Sequence, residues 1–219
     1  MPLIKLKDIA KSYKTDTAET FILKKISLEI DEGDFVAITG PSGSGKSTLM
    51  NVIGCLDKPT SGKYILDGED VLNKHDKELA RIRSKKIGFI FQSFNLIPRL
   101  TVLSNVETPM IYARKKNHKE IASQLLKKVG LEHRLSYKPN QISGGEMQRA
   151  AIARALVNNP KIILADEPTG NLDSKNGEEV MNIFKELNEK GVTIILVTHD
   201  LHIASQAKRI ISLKDGKII

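Results

Sequence analysis

The stretch Gly40-Pro41-Ser42-Gly43-Ser44-Gly45-Lys46-Ser47-Thr48 constrains this chain more than any other. Two glycines bracket four residues, and Lys46-Ser47 follows the second. An apolar run, "DFVAIT" (34–39), precedes the loop, and a helical pattern, "STLMNVIGCL" (47–56), continues from it. Strand, glycine loop and helix in that order make a phosphate cradle. Small residues let consecutive backbone N–H groups face an anion, and the helix N-terminus favours negative charge. All nine residues are assigned to nucleotide phosphates. Lys46 reaches the β- and γ-phosphates, and the Ser47 hydroxyl serves Mg²⁺. Pro59 and Gly62 end the helix.

Such a loop needs a sheet to hold it, and the rest of the chain supplies one. "LIKLKD" (3–8) and "ILKKISLEI" (22–30) alternate as strands, and "KYILDGEDV" (63–71) reads as a hairpin about Asp67-Gly68. From about Ser93 to Asn159 the pattern is helical, with Asn117 as a candidate cap and Gly130 as a stop. Strand and helix then alternate. "KIILAD" (161–166) and "VTIILVT" (192–198) are buried strands around an amphipathic helix at 174–191. "RIISLKDGKII" closes as a hairpin about Asp215-Gly216. Continuous apolar strands separated by helices imply a parallel sheet covered on both faces.

In open α/β sheets, ligands bind beyond the carboxyl ends of the strands. Four strands here run into polar residues: "FVAIT" into the Gly40 loop, "IGFIF" (87–91) into Gln92, "IILA" into Asp166-Glu167, and "TIILVT" into His199. Asp166 suits a Mg²⁺-holding carboxylate, and Glu167 a general base for an attacking water. The Gln92 amide either ligates Mg²⁺ or caps its strand. His199, with Asp200 and His202, is rejected as a zinc set because no further Cys or His lies close in sequence. It is read instead as a contact to the γ-phosphate.

A second anion motif stands a hundred residues on. "ISGGEMQRA" (142–150) opens a helix with Ser143 and two glycines. Ser143 and Glu146 have capping-box spacing. A cap does not require Gly144-Gly145, which cost helix stability. The pair suits close approach of a phosphate to the backbone.

Together these motifs resemble the ATP-binding subunit of an ABC transporter, over essentially the whole chain. "GPSGSGKST" resembles Walker A, Gln92 the Q-loop, "ISGGEMQRA" the signature, "IILADE" Walker B with the catalytic glutamate, "NLD" (171–173) the D-loop and His199 the switch histidine. The signature departs from the commonest "LSGGQ" at Ile142 and Glu146. A negative Glu146 near phosphate has to point away or pair with a base. The resemblance implies an α/β P-loop NTPase with a mostly parallel core sheet, an N-terminal antiparallel β-subdomain and an inserted α-helical subdomain. One domain, 1–219, is expected: residues 1–92 and 160–219 form the ATP-binding core, and 93–159 the helical signature subdomain. Tyr13 is placed to stack on adenine. Mg²⁺ falls to Ser47, Gln92 and Asp166. Lys46, Glu167 and His199 are the catalytic residues. Two copies sandwich two ATP molecules, with Ser143, Gly144, Gly145 and Glu146 of one copy meeting the other's nucleotide and Asp173 linking the sites.

The stretches "IGFIFQSFNLIPRLTVLSNVETPM" and "LADEPTGNLDS" resemble the lipoprotein-release and macrolide-export branch. A membrane permease is expected to dock near Phe94–Leu100, with Leu103 and Val106. The alternative is a DNA-associated ATPase with the same head. Such heads carry a long coiled coil between Q-loop and signature, and residues 93–142 are too few for one.

Composition limits the rest. The net charge of +8 leaves nucleic acid or an anionic membrane open, but the basic clusters are short and flanked by acids. It is read as a solvated surface, with no specific nucleic-acid partner. One cysteine, Cys55, suggests a reducing compartment. No signal peptide or membrane span is visible, so the chain is expected at the cytoplasmic face of a membrane as a peripheral subunit.

Overall fold

The computed structural model describes residues 2–14 and 18–219. Strands β1 (Ile4–Lys14) and β2 (Glu19–Ile30) run further than alternation alone suggests. Their register shifts between Leu6 and Ser12, and these bulges break the period of two. Strand β3 (Phe35–Thr39) is buried throughout and feeds the glycine loop and helix α1 (Lys46–Ile53). Strands β4 (Ser61–Leu66) and β5 (Glu69–Asp70) follow as the hairpin about Asp67-Gly68. Helix α2 (Asp76–Lys86) then leads into β6 (Ile87–Phe91). The middle of the chain holds α3 (Val102–Tyr112), α4 (His118–Lys128) and α5 (Gly144–Leu156). Strand β7 (Ile162–Asp166), α6 (Ser174–Glu189), β8 (Thr193–Val197), the short α7 (Leu201–Ala204), β9 (Arg209–Lys214) and β10 (Lys217–Ile218) complete it.

Two sheets result. The first, β2-β1-β4-β5, is antiparallel. The second, β10-β9-β3-β8-β7-β6, is parallel except at the β9–β10 hairpin. This is the mixed α/β architecture the motifs demanded. Helix α1 packs between the sheets, where Ile4, Ile38, Leu49, Ile53 and Leu164 share one apolar core. A second core beneath α5 and α6 joins Phe35, Ile90, Ile163 and Phe184. Helices α3, α4 and α5 enclose a third, with Val102, Val106, Met110, Leu126 and Ala150.

Register brings the polar strand ends level. Phe91 pairs with Asp166, Asp166 with Val197, and Ile38 with Val197. Gln92, Glu167 and the glycine loop therefore leave the sheet at one edge.

Three local expectations change. Helix α2 has no counterpart in the sequence reading: its "DKELARIRSKK" buries only Leu79 and Ile82, too few for a clear 3.6 period. Helix α7 is a single turn after His199, capped by Asp200 Oδ1 accepting from the N–H groups of His202 and Ile203. Asn117 precedes α4 but adopts φ 58°, and its side chain caps nothing. A left-handed turn uses Asn because its short polar side chain tolerates that region.

Candidate functional site

The glycine loop curls tightly. Gly40 has φ 149°, and a Cβ there would run into the carbonyl of Leu213 in β9. Gly45 caps α1 at φ 103°. Its helix opens without a side-chain cap, so its first N–H groups face the cleft rather than a partner of their own. The C-terminal hairpin braces the loop from behind: Gly216 N donates to Ser44 O at 3.1 Å, and Lys24 N donates to Gly216 O at 2.8 Å. Ser44 is buried, and its hydroxyl finds no partner among the described residues. Lys46 Nζ folds over the loop and donates to the carbonyls of Gly40 (2.8 Å) and Pro41 (2.9 Å). Pro41, Ser42 and Gly43 stand exposed at its rim.

A cleft of about 420 Å³ opens above this loop. Ser42, Lys46, Ser47, Thr48, Gln92, Asp166 and Glu167 line it. The sequence places these residues over 125 positions, and the sheet edge brings them together.

Asp166 ends β7 half-buried. Burial and the neighbouring Glu167 charge push its pKa up, while Lys46 pulls it down. Among the described residues it makes no salt bridge, although a carboxyl short of positive charge favours one. Ser47 brings a hydroxyl to the same cleft. Gln92 donates Nε2 to Asn171 Oδ1 at 3.3 Å, which leaves its Oε1 free, and Asn171 returns a bond to Gln92 O at 3.0 Å. Hydroxyl, amide oxygen and carboxylate are the donors a hard divalent cation takes.

Glu167 adopts φ 46°, rare for a non-glycine residue. Surrounding bonds enforce it. Its N–H donates to Val197 O (2.8 Å), and its carbonyl accepts from Gly170 N (3.0 Å). The carboxylate accepts from Thr198 Oγ1 (3.2 Å) and His199 N (3.0 Å), and lies 2.7 Å from His199 Nδ1. This geometry holds the His199 imidazole against the carboxylate of Glu167, which itself lines the cleft.

Tyr13 lies beside the cleft rather than in it. Its hydroxyl donates to Asp57 Oδ2 (2.7 Å), and Lys11 Nζ sits 4.7 Å from its ring centroid. Lys11 in turn holds Asp57 Oδ1 at 2.6 Å. The Asp57 bond raises the Tyr13 pKa and fixes the ring. One face is covered by the ammonium; the residue remains 45% exposed.

The signature stands apart from the cleft. Ser143 accepts from Glu146 N (3.3 Å) and Ser143 N donates to Glu146 Oε2 (2.8 Å), which completes the capping box. Glu146 also accepts from Arg134 Nε at 2.8 Å. The Ser143 N–H, then Arg134, hold its pKa down to about 2, against the cost of desolvation. The glutamate therefore pairs with a base. The two glycines differ. A Cβ on Gly144 would meet nothing closer than Leu172 Cδ2 at 3.6 Å, whereas one on Gly145 would collide with Asn176 Oδ1. Packing inside this chain demands the second glycine, a reason the motif alone does not reveal. Asp173 caps α6, accepting from Asn176 N (2.9 Å) and Nδ2 (2.6 Å).

The Arg134–Glu146 pair, the Asn176 contact that excludes a Cβ at Gly145 and the Thr198–Glu167 bond have no part in the sequence reading, and Asn171 and Gly216 enter it only as members of the D-loop motif and of a turn. Arg134 and Thr198 meet Glu146 and Glu167 from 12 and 31 positions away, and no local pattern marks them.

Comparison with known proteins gives the same reading. The ABC transporter family model matches residues 23–170. An uncharacterised ABC transporter ATP-binding protein of Bacillus subtilis, YvrO, is 55% identical over 99% of this chain and 96% of its own length. The macrolide export ATP-binding/permease protein MacB of Shigella flexneri is 51% identical over this whole chain, which spans 34% of that protein. The dimeric structure of the cassette MJ0796, named in Methanocaldococcus jannaschii, superposes with a TM-score of 0.91 at 52% identity, covering 98% of this chain and 96% of the other. A post-hydrolysis state of that cassette, bound to ADP and Pi, superposes equally well. Carrying the family's phosphate loop, strand-end carboxylates and signature on the family's fold, the chain belongs to the ABC transporters as an ATP-binding, ATP-hydrolysing cassette.

Proposed function

We propose that this cassette powers a membrane permease of the macrolide-export or lipoprotein-release type, working as a head-to-tail homodimer at the cytoplasmic face of the membrane. The observation that carries the dimer is spatial. The cleft beside Lys46 is lined by the phosphate loop, Gln92, Asp166 and Glu167, and by none of the signature residues 143–146. Ser143 opens α5 with a capped helix start outside that cleft, and Gly144 leaves the backbone there without a side chain. A second copy supplies the phosphate that such a start is built to meet. The MJ0796 cassette, dimeric in its solved structures, supports this arrangement.

In the cycle, Tyr13 stacks on adenine and residues 40–48 wrap the phosphates. Lys46 turns from the Gly40 and Pro41 carbonyls to the β- and γ-phosphates. Ser47, Gln92 and Asp166 would hold Mg²⁺, which neutralises charge building on the transferred phosphoryl group. Glu167 orients the attacking water as general base, and His199 leaves its carboxylate to hold the γ-phosphate. Ser143, Gly144, Gly145 and Glu146 of the partner copy close over that nucleotide. Asp173, besides capping α6, links the two sites. Positioning and charge stabilisation supply most of the rate.

Residues 93–159 act as the lobe that carries motion to the permease. A groove of about 400 Å³ between core and lobe is lined by Leu56, Phe89, Phe91, Asn95, Pro109 and Arg154. It adjoins the Phe94–Leu100 segment, and Arg154 anchors that segment through the Phe94 carbonyl at 2.8 Å. We assign the permease's cytoplasmic helix to it. Val106 does not take part, because it is fully buried in the lobe's own core. Between Gln92 and Ser143 the chain folds into two eleven-residue helices and short turns, so no coiled coil leaves this head. Among the described residues no helix is long and apolar enough to cross a membrane.

The test is affinity purification of the tagged protein from gently solubilised membranes, with mass spectrometry of its companions. A permease with a large extracytoplasmic domain supports the reading. Recovery with nucleic acid alone overturns it.

A further inference from the structure

Gln148 lies in α5, three residues past the signature glycine Gly145, on the same face of the helix. It is completely buried. Its Nε2 donates to the carbonyl of Pro168 at 2.7 Å. Its Oε1 is buried too and has no partner among the described residues. An amide whose acceptor goes unused is kept in place by its donor alone, because an orphaned buried oxygen is costly.

The acceptor is significant. Pro168 directly follows Glu167, whose backbone is held at φ 46°. Glu167 N, Glu167 O and Pro168 O are each tied: to Val197, to Gly170 and to Gln148. Only the last tie comes from the signature helix. A left-handed glutamate persists only where its surroundings over-determine it. Removing one of three ties lets the turn relax and swings the carboxylate at its base.

The geometry points to Gln148 as a positioning residue that fastens the peptide after Glu167 to the signature helix, so that the hydrolytic carboxylate moves with the signature of its own chain. This rests on Glu167 being the hydrolytic base and on the sandwich dimer proposed above. When one chain's Ser143–Gly145 closes on a partner's nucleotide, its α5 shifts against the core. Gln148 delivers that shift to the residue that activates water on the chain's own nucleotide.

The experiment compares the wild-type chain with Gln148→Met and Gln148→His. Methionine matches the length, lacks the donor and removes the orphaned oxygen. Histidine restores a ring N–H at similar reach. ATPase kinetics are measured for each, and ATP-dependent dimerisation is measured in a Glu167→Gln background. For Gln148→Met we expect kcat to fall at least 10-fold with KM for ATP within twofold, and the ATP-bound dimer to form as before. Gln148→His is expected to recover part of kcat. Unchanged kcat in Gln148→Met overturns the proposal. So does a rise in KM or loss of the dimer in step with kcat, which marks a role in folding or in the signature itself. Should Gln148→Met fail to fold, Gln148→Ser, polar but too short to reach Pro168, is read the same way. A Glu167→Gln chain that stays monomeric in saturating ATP, with Gln148 intact, refutes the sandwich instead. The kcat arm then still decides whether Gln148 positions Glu167.

Discussion

His199 Nδ1 stands 2.7 Å from Glu167 Oε1, and the same carboxylate oxygen accepts the His199 backbone N–H at 3.0 Å. The two residues come from neighbouring strand ends, and the β7–β8 register makes them meet. Glu167→Gln keeps the shape and removes the base. We expect kcat to fall by about 10²–10⁴, in the range of general-base removal, while ATP binding survives and a dimer accumulates. Gel filtration with and without saturating ATP checks it. His199→Ala frees the carboxylate and removes the proposed γ-phosphate contact, and is expected to lower kcat with little change in ADP affinity.

The signature glycines should separate in mutagenesis. Gly144→Ala adds a methyl at ordinary van der Waals distance from Leu172, Asn171 and Phe94 and relieves helix entropy, so stability rises by about 0.5–1 kcal/mol. Its ATPase activity is nonetheless expected to fall, since the methyl adds bulk beside the backbone proposed to meet the partner's phosphate. Gly145→Ala drives Cβ into Asn176 and costs about 1–3 kcal/mol, as overpacking does. Asn176→Ala added to Gly145→Ala restores part of that loss, because the two nearest atoms disappear and only Cβ at 3.1 Å remains. Urea unfolding of the three variants, with an ATPase assay of Gly144→Ala, reads all of this.

Glu146 carries a pH signature. Its folded pKa is held down to about 2, below that of a free glutamate. A depressed carboxylate stabilises the fold fully above its unfolded pKa, and that stability is lost as pH falls through the folded value. The contribution is therefore complete at pH 6.5 and decays from the usual carboxylate range down toward pH 2. Glu146→Gln should destabilise the chain at pH 6.5 and by progressively less at pH 4.5 and 3.5. Denaturant midpoints at the three values check it; a constant difference contradicts the Arg134 and Ser143 pairing as the cause.

Tyr13 should act through its ring. Loss of one base-stacking aromatic costs about 1–3 kcal/mol, so Tyr13→Ala is expected to raise KM for ATP about 10-fold with kcat little changed. Tyr13→Phe keeps the ring and loses the Asp57 bond, and should show a smaller rise. Isothermal titration with a non-hydrolysable ATP analogue separates the two.

Leu100 lies half-buried at the end of the segment beside the core–lobe groove. Leu100→Glu is expected to abolish co-purification with the permease while nucleotide affinity stays within twofold. Unchanged recovery of the permease would remove the groove assignment.

Much of this protein was determined by sequence alone, and the reason is locality. The phosphate loop, the Ser143–Glu146 capping box, the Asp67-Gly68 and Asp215-Gly216 turns and the fully apolar strands each arise from residues within a few positions of one another. Backbone sterics and burial period act at that range. Even the choice facing Glu146, to point away or to pair with a base, followed from a charge beside a phosphate site. Which base it takes was decided by tertiary structure, as was the reason for Gly145. Arg134, Gln148 and Thr198 reach their partners, and Asn176 meets Gly145, only after the sheet edge and the helical lobe are assembled. A buried polar side chain has no periodicity to announce it, because its role is set by the one group across from it. Helix α2 escaped for a related reason: with two buried residues, its helicity rests on tertiary contact and end charges more than on its own pattern.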